Sequence, residues 1–143
     1  IAANLPPIVA TWSKTLQSSD AQWTKPGTNP TGKLRLTKGA ETQTYFRFEF
    51  FAACEWRSEI RDGNVYEVAW IRARCFFAGI DLGDLTFQLD HASHREAGQD
   101  NVTTVLSWGL ELGARLRATS MVGGMVRIDA LADGTFVLAV SGP

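Results

Sequence analysis

Thr44-Tyr45-Phe46-Arg47-Phe48-Glu49-Phe50 alternates with a period of two. Side chains in a strand point to opposite faces in turn. The spacing therefore predicts a sheet strand with Phe46, Phe48 and Phe50 on a dry side and Tyr45, Arg47 and Glu49 on the other. The pattern runs on through Cys54, Trp56 and Ser58 to Asp62-Gly63-Asn64, whose Asp-Gly step is tight-turn chemistry.

Working outward, shorter pieces of the same pattern predict strands over 8–16, 33–37, 43–51, 53–60, 65–77, 85–90, 102–108, 114–121, 125–131 and 135–140. Pro26-Gly27-Thr28-Asn29-Pro30 reads as a loop, Asp133-Gly134 as a tight turn, and Gly123-Gly124 as a step open to positive φ. Gly109-Leu110-Glu111-Leu112-Gly113 offers a short helical turn, but glycine at both ends favours a loop there. About nine or ten strands with little or no helix point to an all-β fold, an antiparallel β-sandwich of the jelly-roll kind, in which two sheets bury their apolar faces against each other. Residues 1–7, with Pro6-Pro7 fixing the backbone as extended, read as a lead-in or hinge, and 8–143 as a single domain. With no initiating Met at Ile1, the chain is expected to be a processed product or an excised domain.

The chain has 143 residues, enough for a real core without covalent staples. Its formal net charge of −1 lacks the excess of Lys and Arg that general phosphate binding needs, so no nucleic-acid partner is expected. No stretch approaches the run of about 20 apolar residues that spans a bilayer, so no membrane insertion is expected either. Lys14, Lys25, Lys33 and Lys38 all precede residue 40, and every later cation is an arginine. Cys54 and Cys75 flank the Asp62-Gly63 turn, which would bring them onto neighbouring strands. Directly paired strand cysteines rarely meet disulfide geometry, so two buried free thiols are the expected state.

The polar cluster Asp90-His91-Ala92-Ser93-His94-Arg95-Glu96 continues to Asp100-Asn101 and holds both histidines, in the longest loop that the strand pattern requires. Imidazole with carboxylate is the donor set of a transition-metal site, but His-x-x-His lacks the helical spacing of His-Glu-x-x-His and no further histidine exists. A solvated ligand-binding loop is the better reading of His91, His94, Arg95 and Asp100, with no metal, cofactor or catalytic residue assigned. Asp81 and Asp84 suit a hard cation only if further oxygens converge on them. Gly98-Gln99-Asp100-Asn101-Val102-Thr103 resembles the C-terminal metal-binding signature of the metal-dependent Ser/Thr phosphatases, in which the Asp is a ligand. Nothing in Ile1 to Phe51 supplies that family's other acidic motifs, so the resemblance does not set the fold or the activity.

Among Trp12, Trp23, Trp56, Trp70 and Trp108, Trp23 lies beside Lys25-Pro26-Gly27 and is the candidate for an exposed stacking platform. Trp56 reads as core. The strand Val65-Tyr66-Glu67-Val68-Ala69-Trp70-Ile71, with Phe76 beyond it, is apolar on both faces, which predicts a self-association surface of Tyr66, Val68, Trp70 and Phe76. Together these features suggest a non-catalytic surface recognition or assembly module, architecturally like a virion projecting or head domain: extracellular or at a virion surface, homo-oligomeric, and attached to a glycan or host receptor. A carbohydrate-binding module or lectin is the alternative, and a metal-dependent hydrolase built on His91 and His94 is the third reading.

Overall fold

The computed structural model describes residues 5–23, 32–92 and 104–143. Among the described residues the protein is mostly β, with 50% in strands and 16% helical. Eight strands carry the fold: β1 (Ile8–Thr15), β2 (Lys33–Arg35), β3 (Arg57–Arg61), β4 (Asn64–Phe77), β5 (Ile80–Ala92), β6 (Thr104–Ser107), β7 (Met125–Leu131) and β8 (Phe136–Ser141). Where the alternation suggested two facing antiparallel sheets, these strands join one curled mixed sheet, a half-barrel, in the order β1-β7-β8-β4-β5-β6-β2, with β3 also paired to β4. The β4–β8 pairing is parallel and all others are antiparallel. Its concave side is filled by two helical segments, where a sandwich would place a second sheet.

The first of these segments is the stretch with the strict alternation. Phe46–Phe50 forms a wide π-helical turn, closed by the Phe51 N–H donating to the Phe46 carbonyl at 2.8 Å. Spacings of two and of four to five residues both place Phe46 and Phe50 together, so those two could not separate strand from helix. Phe48 does. A strand would bury it beside its neighbours, and it is 59% exposed. The second segment is the helix α1 (Gly109–Ala118), which covers the glycine-flanked loop and half of the strand predicted over 114–121. It buries Leu112, Gly113 and Leu116, a helical i, i+1, i+4 set.

Odd-numbered residues of the long β4–β5 hairpin face the core: Ala69, Ile71, Ala73, Cys75 and Phe77 on β4, with Phe87 and Leu89 on β5. They join Phe46, Phe50, Phe51, Leu112 and Leu116 in one cluster. The two edges of the curled sheet meet through side chains. Trp12 Nε1 on β1 donates to the Thr37 carbonyl at 2.8 Å, and Lys14 Nζ donates to the Arg35 carbonyl at 2.9 Å and pairs with buried Asp20 at 3.1 Å. The loop after β1 is tied down again by Trp108 Nε1, which donates to the Asp20 carbonyl at 2.7 Å. Cys54 and Cys75 are free thiols. The β3–β4 ladder ends at Arg57 opposite Val68, so Cys75 lies beyond it and the two cysteines are not a cross-strand pair.

Candidate functional site

A cleft of about 560 Å³ opens where the edge of β4 passes between its two neighbours, β3 and β8. Tyr45, Phe50, Phe51 and Cys54 form one wall, Ala130, Leu131 and Phe136 another, and Ile71 the floor, while Val9 and Trp70 stand on the rim. The helical turn creates the wall: it directs Phe50 inward and stacks it edge-on against Phe51, with ring centroids 4.9 Å apart. The next apolar stretch, Ala52-Ala53-Cys54, carries the chain past the opening to β3. A volume of this order suits a small ligand or one or two side chains.

Charge is confined to the mouth, where Glu49 and Arg72 carry opposite signs. Arg72 also reaches Asp84 at 3.5 Å, an exposed pair that costs little to break. Within the cleft, burial pushes the Tyr45 hydroxyl above its ordinary value, aided by the negative charges of Glu49 and Glu41. Burial likewise raises the Cys54 thiol, which holds it as a thiol rather than a reactive thiolate.

A second polar group lies at the far end of the concave face. His91, expected in a loop, lies in β5, because that strand runs on to Ala92. It is buried opposite Glu67 of β4. Its Nδ1 is hydrogen-bonded to buried Thr104 Oγ1 at 2.8 Å, and the rings of Phe48 and Trp56 meet its ring edge-on. Arg47 binds both oxygens of Glu67, at 3.0 and 2.9 Å, and its guanidinium lies over Phe48 and Trp56. That bidentate bond holds Glu67 below the usual carboxylate range, while desolvation lowers the pKa of His91. The charge of Glu67 opposes that shift and Arg47 adds to it, and burial prevails in favouring the neutral imidazole.

The residues singled out from the sequence scatter. Trp23 is 44% exposed, away from the cleft lining, and His94, Arg95 and Asp100 lie outside the described residues. Of the surface expected to self-associate, Trp70 is 52% exposed and Tyr66 and Phe76 are half-buried, but Val68 is only 1% exposed and cannot take part in contacts as the chain stands. Asp81 is engaged by Arg74 and the Gly83 N–H, and Asp84 by Arg72. No three His, Cys, Asp or Glu side chains converge as a metal site among the described residues. The sequence reading carried the alternation on through Cys54 and so missed the cleft; the signal it passed over is the unbroken apolar run Phe50-Phe51-Ala52-Ala53-Cys54.

No protein-family model matches the chain, and no curated protein or solved structure matches it.

Proposed function

We propose that this chain is a recognition module that holds an apolar segment of a second macromolecule in the cleft beside β4. The observation that carries the reading is the rim. Trp70 and Val9, at 52% and 66% exposure, extend the apolar lining of the cleft onto the surface, where solvent contact is unfavourable unless a partner covers it. The raised thiol of Cys54 is a poor nucleophile, which supports binding over covalent chemistry at this place. A second reading, a sugar-binding module, is favoured by the half-exposed Trp70 ring with Glu49 and Arg72 as polar neighbours, the elements of a stacking platform with hydrogen-bonding groups.

The test is a comparison between the wild type and Ala53→Trp, which plugs the opening, on a phage-displayed hexapeptide library and a glycan array. Peptide capture that disappears in Ala53→Trp, with folding intact by circular dichroism, supports recognition of a macromolecular segment. Glycan capture with the same dependence moves the assignment to the second reading. Capture indifferent to the plug refutes both. Light scattering over a concentration series shows whether the segment belongs to another copy of the chain.

A further inference from the structure

Among the described residues, one rung of the β4 backbone has no partner. The β3–β4 hairpin closes over Asp62-Gly63 on the pair Arg61 and Asn64. A two-residue turn closes on a hydrogen-bonded pair, and along an antiparallel strand such residues alternate with ones that bond to the other side. Asn64, Tyr66 and Val68 therefore turn their N–H and C=O groups toward β3, and the same parity carries Trp70 and Arg72 toward that edge. The far end of the strand agrees: the Ala78 N–H, also even, donates at 2.8 Å to the Val140 carbonyl of β8, which lies on this edge. The single irregularity between β4 and β5 places its extra residue, Leu82, on β5, so the parity of β4 is unbroken.

The β3 register stops at Val68, and the β8 register starts at Ala73. Trp70 falls in the interval, and among the described residues no loop backbone bonds to it there. The interval Ala69–Arg72 is about 13 Å long at the rise of a strand, room for three or four extended residues. It is also the place where the aromatic cleft opens.

We infer that Trp70 is a backbone docking rung for an extended peptide segment of a partner protein, which exchanges N–H and C=O bonds with Trp70 and lowers an apolar side chain between Phe50, Phe51 and Phe136. This rests on the recognition reading of the cleft and names its ligand class. Both strand neighbours are already in place, so an incoming segment completes the edge between them, as in other strand-addition complexes. Arg72, two residues along, and Glu49, also exposed at the mouth, carry opposite signs and favour a peptide whose apolar residue is flanked by one carboxylate and one cation.

The experiment is amide hydrogen exchange by NMR on the intact chain, free and with a hexapeptide selected from the phage library. The Trp70 amide of the free protein is expected to exchange fast, while the Ala69 and Ile71 amides, bonded to β5, are protected. Bound peptide is expected to protect Trp70, and N-methylation of the peptide residue facing it is expected to weaken binding about tenfold or more. Strong protection of Trp70 in the free protein overturns the inference. Cleft-dependent peptides that leave Trp70 exchange unchanged, or tolerate N-methylation at every position, overturn it too while leaving the recognition reading intact. If no peptide depends on the cleft, both fall together.

Discussion

Phe46 and Phe48 stand two residues apart in an alternating run, and the structure gives them opposite fates. Phe46 is fully buried, with Trp12 edge-on at 5.4 Å and Tyr45, Phe50 and Phe51 at 5.1, 6.4 and 6.4 Å between ring centroids. Truncating it removes the whole ring from close packing and leaves a cavity that four aromatic neighbours cannot fill, so Phe46→Ala is expected to cost about 4 kcal/mol. Phe48 keeps 59% of its surface in water and packs its ring against His91 and Arg47. Scaling a buried phenylalanine's transfer energy by the covered two-fifths gives about 1 kcal/mol for Phe48→Ala. In urea, with a slope near 2 kcal/mol per molar, the midpoints should fall by roughly 2 M and 0.5 M. A strand would place both rings on one face and make the two costs alike. Equal midpoint shifts would therefore refute the helical-turn packing and, with it, the cleft wall that Phe50 and Phe51 build.

Three further outcomes follow from the packing. Gly124→Ala is expected to lower stability by about 1–3 kcal/mol, measured by thermal melting, because a Cβ there runs into the Ser141 carbonyl oxygen, where strand β8 ends. His91 is held below its ordinary value by burial, so the unfolded chain binds its proton first. Stability is thus expected to be full above about pH 6.5 and to fall as pH drops from there toward the lowered folded value; His91→Gln, followed by urea titrations from pH 7 to 5, should flatten that part of the profile. Burial pushes the Cys75 thiol up to about 12 and raises Cys54 less, so a thiol reagent at pH 8 should label Cys54 slowly and Cys75 only after unfolding; equal rates in the native protein would contradict the buried position of Cys75 in the β4 core row.

Strands β4, β7 and β8 were legible because their sequences solve a local problem in only one way, whereas β5, read over 85–90, runs from Ile80 to Ala92. Met125–Leu131 and Phe136–Ser141 flank an Asp133-Gly134 turn, and the 65–77 run keeps its odd residues apolar from Ala69 to Phe77 along the β4 row. What escaped was local structure decided by tertiary contacts. Leu112 and Leu116 are compatible with either period, and only the concave surface of a curled sheet selects the helix. Even the curl is non-local, since it depends on the parallel meeting of β4 with β8, some 60 residues later in the chain. For the site, the sequence places Trp70 in a self-association surface, but nothing in it reports that β3 stops before Trp70 and β8 starts after it. His91 was assigned to a loop because polar residues crowd around it. The strand reaches it because Thr104 supplies a buried hydrogen-bond partner across the β5–β6 ladder.

Two buried polar groups link stretches of chain that lie about ten residues or more apart in sequence. Gln22 donates to the Ser19 carbonyl at 2.7 Å and accepts from the Gly32 N–H at 2.5 Å, while His91 and Thr104 join the last rung of β5 to the first of β6. Each clamp fixes the distance between its two ends from within the folded body. Because Gln22, His91 and Thr104 lie inside the fold, removing a partner would leave a buried polar group without protein or water to bond, so the two clamps act as welds of the half-barrel rather than as interchangeable contacts.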